Sequence, residues 1–563
     1  MFLLTRGILL AGLVIAAVAA VVAPVSAEDA PHDNIKVRSV AAAWEYSSDG
    51  GKTFAKTPQA GPPPGRQPPT PAYPYVWKGT FDVADPANVA ALWVRIAEEG
   101  DNPRAGICTA GDLIAASGGY WKDLGFCPTL LNASVLLNGK ELTFTHGPML
   151  YLWLPIEGEL QKGKNTIELR GDVYTYWLAA PAKAIDARLV AAEPQPAKIY
   201  NGPLLGDFGD GYFTLACRTQ MPAELTVEAT PTDPAGKAVS VSSPKKIWHR
   251  VKVELPKGTK AVSYTLTAKV GAHVTRRGPF TMSFPGKEFK FLAFGNILAH
   301  DIAAERLGLY SQRALAMKPA FILNTGNPSE HGTWEFTWEP RYFAPGGNLL
   351  ASVPTFITPC WRDFAGAVQE LHYTPAEDTY SHNWSKAIGP VRIIGLDGNQ
   401  TWAVGADNYK WLEAELKNAK EKFLFVLNSY PGYSSGKSSR SLNAWLQQSR
   451  NVILPLLGKY KANAMLSGWD PDYERCEPTP DKGCTQIITG AMGKDAYRFS
   501  GRAIGSNPFA QGKGREWAGA EGTRHFCVFD VKGETVEMKV LAMPDEPDAK
   551  DFPVLDKKTF KAR

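Results

Sequence analysis

The rhythm of hydrophobic and polar positions changes near the middle of the chain. Before residue 286, apolar residues alternate with polar ones over short runs. Examples are VWKGTFDV (Val76 to Val83), ALWVRIA (Ala91 to Ala97), GKNTIELR (Gly163 to Arg170), YFTLACRT (Tyr212 to Thr219) and AELTVEAT (Ala223 to Thr230). A period of two between Gly, Pro and Asn turns predicts strands with one buried face. In SVLLNGKEL (Ser134 to Leu142), Asn138-Gly139 predicts a hairpin turn, because both central positions of such a turn take positive φ.

Beyond residue 286 the apolar runs become nearly continuous: FKFLAF (Phe289 to Phe294), AFILN (Ala320 to Asn324), TFIT (Thr355 to Thr358), VRIIGLD (Val391 to Asp397), KFLFVLN (Lys422 to Asn428) and AMLS (Ala464 to Ser467). Strands of this kind belong to sheets covered on both faces. Helices are expected between them, from about Ile302 to Ala316 and about Asn408 to Lys420. Further strands near Ile487, Phe526 and Val536 complete a layered α/β domain. The predicted layout is a leader over 1–27, an all-β domain over 28–190, a β-sandwich over 191–285, the α/β domain over 286–545 and a C-terminal tail over 546–563. The Pro-containing linker Glu193-Pro194-Gln195-Pro196 marks the boundary between the two β domains.

The leader reads as a signal peptide. Arg6 gives the charged start, Ile8 to Val22 the apolar stretch, and Val25-Ser26-Ala27 the small residues before a cut. The chain is therefore expected to be exported, whether periplasmic, cell-surface or secreted; an uncleaved membrane anchor is the alternative. No later segment has the ~18 apolar residues of a spanning helix. Charged residues make up 21% of the chain and the formal net charge is +5, without a long basic run. That balance argues against nucleic acid and anionic membrane as partners. The seven cysteines suit an oxidising compartment. Cys476 and Cys484 flank a short loop and are the expected disulfide; Cys108 with Cys127 is a second candidate pair.

Five loops after the α/β strands carry the chemistry. They read FGN at Asn296, TGN at Asn327, PCWRD from Cys360 to Asp363, NSYPGYSSG from Asn428 to Gly436, and SGWDPDYER from Ser467 to Arg475. Their order and spacing resemble the calcineurin-like metallophosphoesterases, nearest to the purple acid phosphatases, whose loops read GD, GD, GNH(D/E), HxPxYSSG and GHxHDYER. The resemblance implies a layered α/β domain with a fibronectin-like sandwich, over 191–285, in front of it. The segment 28–190 resembles the jelly-roll, galactose-binding-like domains, and its SSDGGKTF (Ser47 to Phe54) matches a sialidase Asp-box, read here as a structural hairpin.

A working family member holds two metal ions about 3.5–4 Å apart, which activate water and grip phosphate. Measured against that pattern, Asn296 and Asn327 stand where the family has Asp, and Glu330 where purple acid phosphatases have their Tyr. Cys360-Trp361-Arg362 replaces Gly-Asn-His, and only the acid persists, as Asp363. Ser429, Trp469 and Pro471 replace His. Asn retains shape while deleting charge, and indole and proline offer no ligand lone pair. Trp361 and Trp469 are candidates to fill the volume of the missing ions. No cofactor is expected. A relocated site for two divalent or trivalent ions is the alternative, with His300, Asp301, Glu330, His331, Asp363 and Asp470 as fallback ligands and His372 nearby. Against it, Asp301 suits a helix N-cap, Asp470 and Asp472 suit bonds to loop amides, and Glu474-Arg475 suits an internal ion pair.

The reading is an exported phosphoesterase-like protein that binds or scaffolds without catalysis. Its partner would be a glycan, a phosphorylated ligand or a protein. Arg362, Asp363, Lys437, Arg440 and Asp470 are the candidate ligand contacts. The alternatives are an active metal-dependent phosphoesterase with unusual ligands, and carbohydrate binding by the N-terminal β domain.

Overall fold

In the computed structural model the described residues are 36–60, 73–98, 127–142, 145–146, 152–154, 159–176, 184–297, 301–328, 338–360, 383–436, 444–493, 496, 499, 507, 509, 516–544, 546, 549 and 551–563. The proposed leader, Cys108, His300, Glu330, His331, Trp361, Arg362, Asp363, His372, Lys437 and Arg440 lie outside them. Two compact units emerge, with the break between Glu193 and Pro194, inside the predicted Pro-rich linker.

The first unit pairs its strands antiparallel in two sheets. Trp77, Val135, Leu137, Ile167 and Leu169 from one sheet meet Leu92, Val94, Ala187 and Leu189 from the other in a single core. The predicted hairpin is present, with Asn138 at φ 53° and Gly139 at φ 83°. The Asp-box folds on itself: the Asp49 carboxylate accepts from the Lys52 and Thr53 amides at 2.9 and 3.0 Å and from the Thr53 hydroxyl at 2.6 Å. The Thr53 hydroxyl above all holds that carboxyl well below its usual range.

The second unit begins with five long strands. The runs read as YFTLACRT and AELTVEAT are one strand, Tyr212–Asp233, which pairs with Ile199–Gly209 in its first part and with Ala261–Val270 in its second. The register of its pairing with Val239–Glu254 shifts between Arg218 and Ala223. An irregularity of that kind bends a strand without ending it, which is why the sequence looked interrupted. These strands are joined in one hydrogen-bonded network, with Tyr212–Asp233 changing partners across the shift. It seals onto the following domain: Phe208 meets Phe356 at 5.9 Å between ring centroids, and the Tyr264 hydroxyl donates to the Ala351 carbonyl at 2.5 Å.

Two further sheets make the α/β layers. In one, Thr355–Ile357, Phe321–Asn324 and Phe289–Phe294 run parallel, followed by antiparallel His525–Lys532, Thr535–Ala542 and Val554–Lys561. Residues 554–561, expected to be tail, are thus an edge strand. In the other, Val391–Leu396, Phe423–Asn428, Ala464–Ser467 and Thr485–Thr489 run parallel, and Trp384–Ile388 forms an antiparallel edge. Phe291 stacks on Phe529 at 4.6 Å in its own sheet and meets Phe425 of the other at 5.7 Å. Leu412 and Leu416 of helix Asp407–Asn418 cover the second sheet's other face, against Ile394, Leu424 and Val426. Continuous apolar strands follow from this double burial.

Candidate functional site

The parallel strands all point the same way, so the loops after Phe294, Asn324, Ile357, Asn428 and Ser467 are delivered to one edge, where α/β folds place their ligands. Asn296 and Asn327 each sit at φ 53°, a left-handed conformation that Asn and Asp tolerate better than other side chains. Asn and Asp are interchangeable in this backbone conformation. Both are buried. The Asn327 Nδ2 donates to Asn296 Oδ1 at 3.2 Å, and Asn296 Nδ2 donates to the Trp469 carbonyl at 3.2 Å.

Ser429, also buried, donates from Oγ to the Pro359 carbonyl at 3.0 Å, and its own carbonyl accepts from the Trp469 amide at 3.0 Å. A Cβ on Gly326 would meet Ser429 Oγ at 2.5 Å and Cys360 Cβ at 2.9 Å, so three loops close on this glycine. Trp469 packs on Tyr430 at 4.8 Å, Tyr430 stacks on Trp445 at 5.1 Å, and Cys360 and Leu446 complete the cluster. The structure thus unites Asn296, Asn327, Cys360, Ser429 and Trp469, with Pro471 buried beside them.

The predicted roles of the neighbouring acids need correction. Asp470 accepts from the Ser434 hydroxyl at 2.5 Å, and Asp472 lacks, among the described residues, the loop-amide bond expected of it. Glu474 does not pair with Arg475. In an extended strand, adjacent side chains point to opposite faces. Glu474 turns inward and accepts from the Ser435 amide at 2.7 Å, the Ser435 hydroxyl at 2.8 Å and the Trp517 indole at 2.7 Å. Arg475 turns the other way, to Glu477 at 2.6 Å, Glu516 at 2.7 Å and Asp556 at 2.7 Å. Asp472, wholly buried, has no hydrogen-bond partner on either oxygen among the described residues. Burial, then the charges of Asp470 and Glu474, push its carboxyl well above the usual range; burial likewise raises Glu474. Residues 469–472 form a bend ahead of strand Tyr473–Cys476, so strand alternation in the sequence did not reveal this inward row.

Cys476 and Cys484 are both free, buried thiols, so the expected disulfide is not formed. Cys476 pairs across the sheet with Gln486, leaving Cys484 two positions off. Such diagonal neighbours stand ~7–8 Å apart, beyond the ~4.4–6.8 Å Cα span of a disulfide. Asp301 is the first residue of helix Asp301–Ala316; the other fallback ligands except Asp470 lie outside the described residues.

The donor set can now be tested against a binuclear metal centre. Among the described residues, two amides bonded to each other, a hydroxyl bonded to a carbonyl, an indole and a proline do not fit one. Among the described residues no group of three or more His, Cys, Asp or Glu is placed to hold a metal ion. No helix among them is long and apolar enough to cross a membrane.

The two α/β sheets, with their loops at one edge, define a calcineurin-like metallophosphoesterase fold. Among solved structures, the chain is similar to a purple acid phosphatase from yellow lupin (Lupinus luteus) seeds, with a TM-score of 0.53 and 13% identity, over 87% of this chain and 93% of that one. A structure of PhoD aligns with a TM-score of 0.49 and 11% identity, over 64% of this chain and 90% of the other. No family model matches the chain, and no curated protein does.

Proposed function

We propose that this chain is an exported, non-catalytic binding or scaffold protein built on a phosphoesterase fold whose metal site has been converted to neutral packing. The observation that carries this reading is the direct bond between Asn327 Nδ2 and Asn296 Oδ1. A carboxylate bridging two cations needs both oxygens for metal; here one amide donates to the oxygen of the other, a bond that two carboxylates could not form. Removing those charges is what packing without cations requires, because a buried like-charged cluster repels itself and is costly to desolvate. Trp469, packed in the Tyr430 cluster, takes up space in the same place. Loss of outer partners alone lowers metal affinity or activity ~10–100-fold, and here the ligands themselves are replaced.

The test is elemental mass spectrometry of the freshly purified protein, together with assays on aryl phosphate and phosphodiester substrates. Substoichiometric metal and background hydrolysis are expected. Stoichiometric metal with turnover would instead establish an active phosphoesterase with displaced ligands.

A further inference from the structure

At the opposite end of the α/β strands lies a cleft of about 550 Å³ that none of these loops reaches. It is bounded by the long-strand sheet at Phe208, by Phe284 to Lys287 just before strand Phe289–Phe294, and by the edge strand Trp384–Ile388 with Gly389. These segments sit at strand N-termini, and the Asn296 and Asn327 loops sit beyond strand C-termini. A six-residue strand spans about 20 Å, so the cleft and the loop cluster are separate sites.

The floor of the cleft is apolar. Phe208 and Ile388 are buried, and Phe284 meets Phe208 edge to face at 6.4 Å. The charge around it is unevenly committed. Lys386 is spoken for, with its ammonium 2.7 Å from Asp207 and donating to the Tyr212 hydroxyl at 3.2 Å. Asp210, the acid of the lining, accepts from the Gly258 amide at 2.7 Å. Lys260 and Lys287 line the same cleft, are exposed, and have no side-chain partner among the described residues. An apolar floor with a few convergent polar groups, at a volume within the usual ~300–1,000 Å³, is how small-molecule sites are built. Here the uncommitted groups are cationic.

We propose that this cleft binds a small amphipathic anion, with a flat or branched apolar body on Phe208, Phe284 and Ile388 and one acidic group held by Lys260 and Lys287. The body displaces water from apolar surface, and the acid meets two ammonium groups that have no other counterion.

The experiment is calorimetric titration of the full chain with 2-naphthalenesulfonate, and with neutral 2-naphthol as its uncharged counterpart. Saturable one-site binding of the sulfonate is expected, weakened by added salt. The double substitution Lys260→Glu, Lys287→Glu should weaken it roughly tenfold or more, because attraction becomes repulsion at short range. The naphthol should bind more weakly and be insensitive to that substitution. Both lysines are exposed, so the melting temperature should not move; if it does, Lys287→Glu alone supplies the same direction with a smaller factor. Equal sulfonate binding by wild type and variants, or no saturable binding at millimolar probe, overturns the proposal. Neither result bears on metal content or hydrolysis at the loop cluster.

Discussion

Replacing Asp472 by Asn should stabilise the protein increasingly as pH rises. Asp472 is fully buried, both its oxygens lack partners among the described residues, and a Cβ on Gly436 would collide with one of them. Burial, reinforced by Asp470 and Glu474, raises its carboxyl well above the usual range. A group whose folded value is raised keeps its proton longer in the fold. Its stability contribution is complete below the unfolded value, near ~3.9, and is lost as pH climbs toward the folded value. Each pH unit in that interval costs the wild type ~1.4 kcal/mol. Asparagine has the same shape and does not titrate. The stability gain of Asp472→Asn over wild type should therefore grow as pH rises from the unfolded value, for example between pH 5 and pH 6. Glu474 is present in both proteins, so its own slope cancels to first order. Any difference in desolvating an amide rather than a neutral acid is pH-independent and of order 1 kcal/mol. Equilibrium guanidinium unfolding at the two pH values, followed by tryptophan fluorescence, measures the difference. A gain that stays flat with pH, or a loss at both values, would refute the reasoning. It would mean that Asp472 is ionised in the fold and held by a cation or donor.

Asn327→Asp should cost about 1–3 kcal/mol in the same unfolding assay, since it sets an acceptor against Asn296 Oδ1 in a buried place. It should also fail to recruit metal by mass spectrometry; unchanged stability with bound metal would contradict both points. His525 is buried with Nε2 unpartnered, and burial pushes its imidazole down to about 4. A lowered base contributes stability above its unfolded value near ~6.5 and loses it as pH falls, so about 3 kcal/mol should disappear between pH 6.5 and 4. His525→Phe should remove that component of the slope, and an identical pH profile in the variant would count against it. Alkylation followed by mass spectrometry should find Cys476 and Cys484 both reduced and reactive only after unfolding, as burial pushes the Cys484 thiol up to about 12; a 476–484 disulfide peptide would sink that expectation.

Local pattern carried much of this molecule. FKFLAF and AMLS begin and end as strands where their apolar runs do, because a residue's burial in a sheet follows its own side-chain periodicity. The hairpin at Asn138-Gly139 and the self-bonded Asp49 turn were legible for the same reason: their partners lie within a few positions. The order of the loop motifs was enough to indicate the fold. Other features depended on distant chain. Residues 554–561 became a strand because Thr535–Ala542 offered an edge. Tyr212–Asp233 stayed one strand because three neighbours pair along its length.

At the site, the sequence by itself determined which side chains stand at the loop tips, with amides at Asn296 and Asn327, a hydroxyl at Ser429, an indole at Trp469 and a proline at Pro471. Only the tertiary structure decided what they do. Asn296 meets the carbonyl of Trp469, 173 positions away, and Glu474 turns from its neighbour Arg475 toward Ser435, 39 positions back. Side-chain type sets what a group can bond, but burial leaves it only the partners that packing brings within reach.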